Sequence, residues 1–256
     1  MILLKTEEEI EKLRAGNELV SRTLGVVAGS IRPGMTTRAL DKLAEEYIRD
    51  HGGIPGFLGY NGFPATLCTS LNDEVVHGIP SEYALKEGDI ISVDCGVRLN
   101  GYYGDSAYTF AIGEPDPAWK ALMVTTREAL FKGIANARAG KRMGDVGSAI
   151  QDHAENAGYS VVREMVGHGL GQNLHEEPEV PNFGRRGSGI KLKAGMVFCI
   201  EPMINLGTRY IQQDKDGWTI RTRDRQPSAH YELAIAVRQG EADILSTFKY
   251  IEEVIK

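Results

Sequence analysis

Cysteine is scarce in this chain. The three that occur, Cys68, Cys95 and Cys199, form no C-x-x-C pair, which excludes a zinc ribbon and a disulfide scaffold. Isolated thiols suit a reducing compartment. Long apolar runs are also missing, so no membrane span is expected. The opening MILLKTEEEIEKL turns to charge after Leu4, too soon for a signal-peptide core. Positive charge is not in excess: 29 Lys and Arg against 35 Asp and Glu give a formal charge of -6, which argues against a broad nucleic-acid surface. The glycine-rich GGIPGFLGYNG at 52–62 has no following Gly-Lys-Ser/Thr, so it is not a phosphate loop. GHGLG at 167–171 runs into QNLHEEP, no helix start, so it is not a dinucleotide fingerprint. A soluble cytoplasmic protein with no processing segment is expected, and 256 residues allow one large domain or two small ones.

What is present first draws attention at ISVDCGVRLNGYYGDSAYTF, Ile91 to Phe110. Two strands joined by Asn100-Gly101 read as a tight hairpin. With those two residues in the turn, Asp105 faces Gly96, so Asp94 and Asp105 are diagonal neighbours on one face, roughly 7–8 Å apart. Aspartate is depleted in strands, and a buried carboxylate is costly unless paired or metal-bound. Two solvated aspartates on an outer face remain the alternative from this stretch alone.

Helices flank the hairpin. Thr6 and Glu9 predict a capping box, followed by a helical face of Ile10, Leu13, Val20, Leu24 and Val27. A second helix is expected from near Thr37, with Leu40, Leu43, Ala44, Tyr47 and Ile48 in phase, stopping at Gly52-Gly53. The order then recurs: a helix from about Ala118, another through Val146, Ile150 and Ala154 ending near Gly158, then strands. Letters recur with it. LKEGDIISVD (85–94) matches LKAGMVFCIE (192–201), VHGI (76–79) matches GHGL (167–170), and Asp105-x-Ala matches Glu232-x-Ala. Together these predict one domain, 1–256, with an internal pseudo-repeat of roughly 1–115 and 116–256. Each half then supplies a His-Gly and two strand-borne acids. His77, Asp94 and Asp105 would face His168, Glu201 and Glu232 across a shared cleft, which favours the metal reading. Four carboxylates with an imidazole suit manganese, iron, cobalt or zinc. Two divalent ions would cancel their charge, and ions roughly 3.5–4 Å apart can activate a water and polarise a carbonyl.

The motifs GHGLGQNLHEEPEVPNFG, CIEPMINLG, AHYELAIAV and VHGIP, with the Asp94/Asp105 hairpin, resemble the type I methionine aminopeptidases over essentially the whole chain. The resemblance implies an α/β fold of α+β type, the pita-bread fold: two pseudo-symmetric halves with a curved antiparallel sheet inside and helices outside. It implies removal of the initiator methionine from nascent proteins when the second residue is small, near the ribosome, by a monomer with no membrane and no specific nucleic-acid partner. It implies two divalent ions, held by Asp94, Asp105, His168, Glu201 and Glu232, with Asp105 and Glu232 bridging. Glu201 would also carry the proton to the leaving amine. His77 and His175 would touch the substrate and stabilise the transition state, and the methionine side chain would lie among Tyr60, Phe63, Cys68, Leu174 and Trp218.

The chain departs from the familiar bacterial pattern at Val76, where cysteine is common, at Leu174, where an aromatic is frequent, and at His230, where glutamine is frequent. His230 falls on the Glu232 face by parity, with a position near the metal centre and a surface position both open. His51 and His153 are expected to be solvated or partly packed on helices. Arg221, Arg223 and Arg225 alternate and read as a solvated strand edge. No N-terminal zinc-binding extension and no type II insertion are expected. Two rivals remain. One is a proline-specific peptidase of the same fold, which usually carries a further N-terminal domain. The other is a non-catalytic binding protein, which would have lost metal ligands.

Overall fold

Thr6 and Glu9 cap the first helix reciprocally. In the computed structural model, which describes residues 1–255, the Thr6 side chain accepts from Glu9 N and the Glu9 carboxylate accepts from Thr6 N. Helix α1 (Glu7–Ser30) buries Ile10, Leu13, Val20, Leu24 and Val27, the face its spacing predicts. Helix α2 (Thr37–Asp50) starts on a Thr36 cap and stops before Gly52, whose φ of 76° provides the left-handed exit. The second pair, α3 (Pro117–Asn136) and α4 (Met143–Asn156), begins and ends within a residue or two of expectation. A short α5 (Lys249–Glu252) packs on α1.

The strands are β1 (Ile54–Pro55), β2 (Leu67–Leu71), β3 (Glu74–Val76), β4 (Ile90–Leu99) and β5 (Tyr102–Ala111) in the first half of the chain. The second half adds β6 (Ser160–Val161), β7 (Gly167–Gly169), β8 (Glu176–Val180), β9 (Val197–Ile200) and β10 (Met203–Asn205). It continues with β11 (Ile211–Gln213), β12 (Ile220–Thr222), β13 (Ser228–His230), β14 (Glu232–Ala236) and β15 (Asp243–Ile244). One antiparallel sheet runs β1-β4-β5-β14-β9-β7-β8, with β2 also on β4 and β15 also on β14. Two small sheets, β13-β10-β6 and β11-β12-β3, flank it.

The β4–β5 hairpin has the register that Asn100-Gly101 dictates. Asn100 at φ 51° and Gly101 at φ 83° make the turn, and Gly96 pairs with Asp105. Beyond the hairpin, Ala107 of β5 faces Asp94 on one side and Glu232 on the other. Three acids therefore share one face of three adjacent strands, with a methyl group between two of them.

The main core lies between the helices and the sheet, built from residues such as Leu24, Ile48, Ile91, Phe110, Leu130, Ile150 and Phe198. A second cluster, with Phe57, Phe63, Leu170 and Leu174, lies to the side of the acids. Helix α1 crosses β5 where two glycines meet. A Cβ on Gly104 would stand 2.4 Å from the Gly16 carbonyl carbon and 2.5 Å from Asn17 N. Beside this contact the buried Asn17 side chain accepts from Asp105 N at 3.1 Å and donates to Leu13 O at 2.9 Å. Both atoms that would meet the new Cβ are backbone, so neither can swing aside. Gly104→Ala is expected to lower unfolding free energy by about 1–3 kcal/mol, read from urea melts. An unchanged midpoint would mean that α1 shifts freely and does not fix Asp105.

Candidate metal centre and active site

Each acid reaches the centre from a different local device. Asp94 and Asp105 come from the hairpin, and Glu232 opens β14. Ser106 Oγ donates to Glu232 O at 2.7 Å, joining the two strands at the site. Glu201 was expected on a strand; it is the first residue beyond β9, because Pro202 follows and cannot extend the ladder. Asn182 donates to the Glu201 carbonyl at 3.0 Å and holds that turn. His168 sits on β7, where its Nδ1 donates to Gly169 O at 3.0 Å and turns Nε2 toward the acids. That Nε2 lies 3.7 Å from Asp105 Oδ2 and 3.6 Å from Glu201 Oε1. These separations are too long for hydrogen bonds.

Asp105 and Glu232 are 3% and 2% exposed. Burial pushes the Asp94 carboxyl up to about 7. It also raises Asp105, Glu201 and Glu232 well above the carboxylate range, and the neighbouring acids add to the rise. His168 is driven down to about 3 by burial first and His175 second. The contacts of His168 with Asp105 and Glu201 are thus not ion pairs, since the imidazole is neutral. The decisive observation is a set of orphaned oxygens. Asp94 Oδ1, Asp105 Oδ1, Glu201 Oε1 and Glu232 Oε1 are buried without a hydrogen-bond partner. Ligand atoms of Asp105, His168 and Glu232 lie within 4.8 Å of one another. Oxygen-rich donors with imidazole, lacking partners and sharing one point, fit divalent cations, whose charge offsets the burial penalty.

The acids open into a cavity of about 640 Å³ that is also lined by Tyr60, Phe63, Cys68, Leu174 and Trp218. Trp218 meets Phe63 edge-on at 5.1 Å. His77 and His175 line it as well. The His175 ring stands edge-on to His168 at 4.2 Å, and its Nδ1 is 2.8 Å from the Tyr60 hydroxyl. His77 has a φ of 60°, rare for a side-chain-bearing residue. The following Gly78 is pinned to β2, since its carbonyl accepts from Thr69 N at 2.7 Å and its N–H donates to Ser70 Oγ at 3.1 Å. Burial and then His175 lower His77 to about 4. All twelve residues singled out in the sequence thus line one cavity.

Two expectations need correction. The VHGI–GHGL match does not join equivalent strands: His168 is on β7 of the large sheet, whereas His77 follows β3 of a small one. Arg221, Arg223 and Arg225 do not share a solvated strand edge, because β12 ends at Thr222 and Arg221 is folded back onto Asp73, Glu74 and Asp214. Of the two positions left open for His230, the structure has the one near the centre: it is 1% exposed and lines the cavity. One neighbour of the centre was missed, Cys199, whose ligand atom joins those of Asp105, His168 and Glu232. Burial and the surrounding acids push the Cys199 thiol well up, so it stays protonated.

Buried carboxylates and imidazole opening onto a partly apolar cavity are a donor set that fits a hydrolytic metal centre, the equipment of a metallopeptidase. Residues 11–239 match the profile of metallopeptidase family M24. The chain is 48% identical over 249 residues to the methionine aminopeptidase of Clostridium perfringens, covering 97% of this chain and 100% of that protein. It is 46% identical over 246 residues to methionine aminopeptidase 1 of Bacillus subtilis, covering 96% and 99%. The crystal structure of methionine aminopeptidase from Rickettsia prowazekii superposes with a TM-score of 0.95 at 42% identity, covering 96% of this chain and 100% of that one. The chain belongs to metallopeptidase family M24 and, within it, to the methionine aminopeptidases. Its fold is the pita-bread fold expected from the sequence. Among the described residues no helix is long and apolar enough to cross a membrane.

The orphaned oxygens make a stability experiment informative. At a cation concentration of 100 times Kd, the protein should gain about 2.7 kcal/mol. Asp105→Asn keeps the shape but removes one anionic donor. We expect this variant to fold and to lose most of that gain when thermal melts are run with and without manganese or cobalt. An equal metal-dependent shift in both proteins would remove Asp105 from the centre.

Proposed function

We propose that this chain removes the N-terminal methionine from newly made proteins when the second residue is small, using divalent metal. The observation that carries the reading is the apolar cavity opening directly onto the acid centre in a member of this family. In the proposed arrangement Asp94, Asp105, His168, Glu201 and Glu232 would hold two divalent ions. Manganese, iron, cobalt and zinc all suit this donor set. Such ions, when bound, supply Lewis acidity to the scissile carbonyl and to the attacking water.

The protein's own residues do the rest. Glu201 accepts a proton from the attacking water and passes it to the amide nitrogen as the C–N bond breaks, leaving free methionine and a new N-terminus. His77 and His175 contact the peptide next to the scissile bond as neutral or weakly basic groups. The Tyr60 hydroxyl at Nδ1 orients the His175 ring. The methionine side chain lies among Tyr60, Phe63, Cys68, Leu174 and Trp218, where thioether–aromatic contact is favourable.

The chain acts as one catalytic domain of two related halves, about 1–115 and 116–256. Support comes from Ser106 and Leu233, equivalent by the Asp105/Glu232 letter match, which pair directly across β5 and β14. The isolated thiols suit a cytoplasmic enzyme, and action as a monomer on nascent chains near the ribosome is part of the same proposal. A binding module without activity is disfavoured because all five donors are present and converge. A proline-specific peptidase is disfavoured by the 42–48% identity to methionine aminopeptidases.

Two outcomes test this reading. His175→Ala should lower turnover on the order of 10²–10³, as loss of one preorganised donor does, with little change in metal content. A large loss of metal would make His175 a ligand instead. On a panel of tripeptides varied separately at the first and second residues, Met-Ala and Met-Gly substrates should be cleaved. Norleucine should be slower and Lys or Glu in first position refused, because the pocket holds its guest by area and the discrimination per methylene is about 1–3 kcal/mol. Efficient cleavage of X-Pro bonds after other residues, or Leu-first peptides at methionine-like rates, would assign the chain to a different peptidase.

A further inference from the structure

Among the imidazoles facing the centre, His230 has no role in the reading above. It is 1% exposed, and its Nε2 has no hydrogen-bond partner. A buried ring nitrogen is rarely left so in a native protein. Its backbone is clamped on both sides by one hydroxyl: Thr109 Oγ1 accepts from His230 N at 2.9 Å and donates to His230 O at 2.7 Å. Ser92 Oγ, 2.8 Å from that hydroxyl, holds it in turn. The segment carrying the ring is therefore fixed in position.

The ring points at Glu201. His230 Nε2 is 3.8 Å from Glu201 Oε2, while His168 Nε2 is 3.6 Å from the other oxygen, Oε1. One carboxylate thus stands between two imidazoles. Separations of this size are too long for hydrogen bonds. They suit atoms that share a cation, since donors each about 2.0–2.2 Å from one ion stand roughly 3–4 Å apart. Ligand atoms of Glu201, His230 and Glu232 all lie within 4.8 Å of one another. This trio is distinct from the one made by Asp105, His168 and Glu232, and the two share Glu232.

We infer that His230 is a metal ligand, binding through Nε2 together with Glu201 and Glu232, so that the centre has two imidazole donors. The inference rests on the proposed metal centre and adds a sixth donor to it. It has a chemical consequence. A second imidazole favours cobalt and zinc over manganese more than an all-oxygen partner set does. Glutamine in its place would offer only an amide.

The test strips the full-length protein with chelator and titrates it separately with zinc, cobalt and manganese by calorimetry, for the parent and for His230→Gln. The variant should bind zinc and cobalt about tenfold or more weakly, with a smaller change for manganese. X-ray absorption on the zinc-loaded parent should count two imidazoles per pair of ions, a measurement that does not depend on how the variant folds. One imidazole per pair overturns the inference whatever the variant does, as do unchanged zinc and cobalt affinities in a folded His230→Gln. In either case a parent that still binds metal leaves the proposed function standing. A parent that binds no metal at all defeats that reading and this inference together.

Discussion

Four carboxylates packed together out of water are the constraint around which this protein is built. Each is raised above its ordinary pKa by burial, and the neighbouring acids add to the rise for three of them. Such a cluster is unfavourable alone, so every support near it has to prevent the acids from turning outward. The supports are backbone devices. Asn17 accepts from Asp105 N, Ser106 donates to Glu232 O, and Asn182 donates to Glu201 O. None of these touches a carboxylate oxygen. They fix the direction of the side chains and leave the oxygens themselves free for a ligand, which is how a preorganised centre differs from a satisfied polar core.

The sheet register explains why the acids converge. Ala107 sits between Asp94 and Glu232, and a larger side chain there would fill the space that the two carboxylates share. Gly104, one residue before Asp105, lets α1 approach closely enough for Asn17 to reach the strand. Small residues at these points are therefore part of the centre although they carry no chemistry.

The sequence disclosed what local rules control. Asn100-Gly101 set a two-residue turn, and the turn set the Asp94/Asp105 register. Thr6 with Glu9, and the spacing of Ile10, Leu13 and Val20, were sufficient for α1. Long-range packing was illegible. Parity put His230 on the Glu232 face but could not say whether that face was covered, because the answer depends on the β10–β13 pairing of Met203 with His230. Arg221 looked like an edge residue because its partners Asp73 and Glu74 lie far away in sequence. Glu201 looked strand-borne because Pro202 was not weighed as a terminator. The VHGI–GHGL likeness misled because two short His-Gly motifs can arise on unrelated elements. The pocket residues came from family resemblance, since nothing in the spacing of Phe63, Cys68 and Trp218 says that they meet.

The proposed donors span residues 94 to 232, and no two elements alone bring them together. Asp94 and Asp105 arrive with a local hairpin, whose closure carries a low entropic cost. Glu232 joins them only when β14 pairs with β5, across a sequence separation of 126 between Ser106 and Glu232. His168 and Glu201 join only when β7 and β9 add to β14. The hairpin by itself would present two repelling carboxylates and little affinity for a cation. Metal binding at the proposed donors would therefore be available to the folded chain and not to its parts, and its free energy would add directly to the stability of the long-range pairings. The same coupling works in reverse. Pairing β5 with β14 brings buried acids together, and a cation bound there offsets the repulsion that this pairing creates.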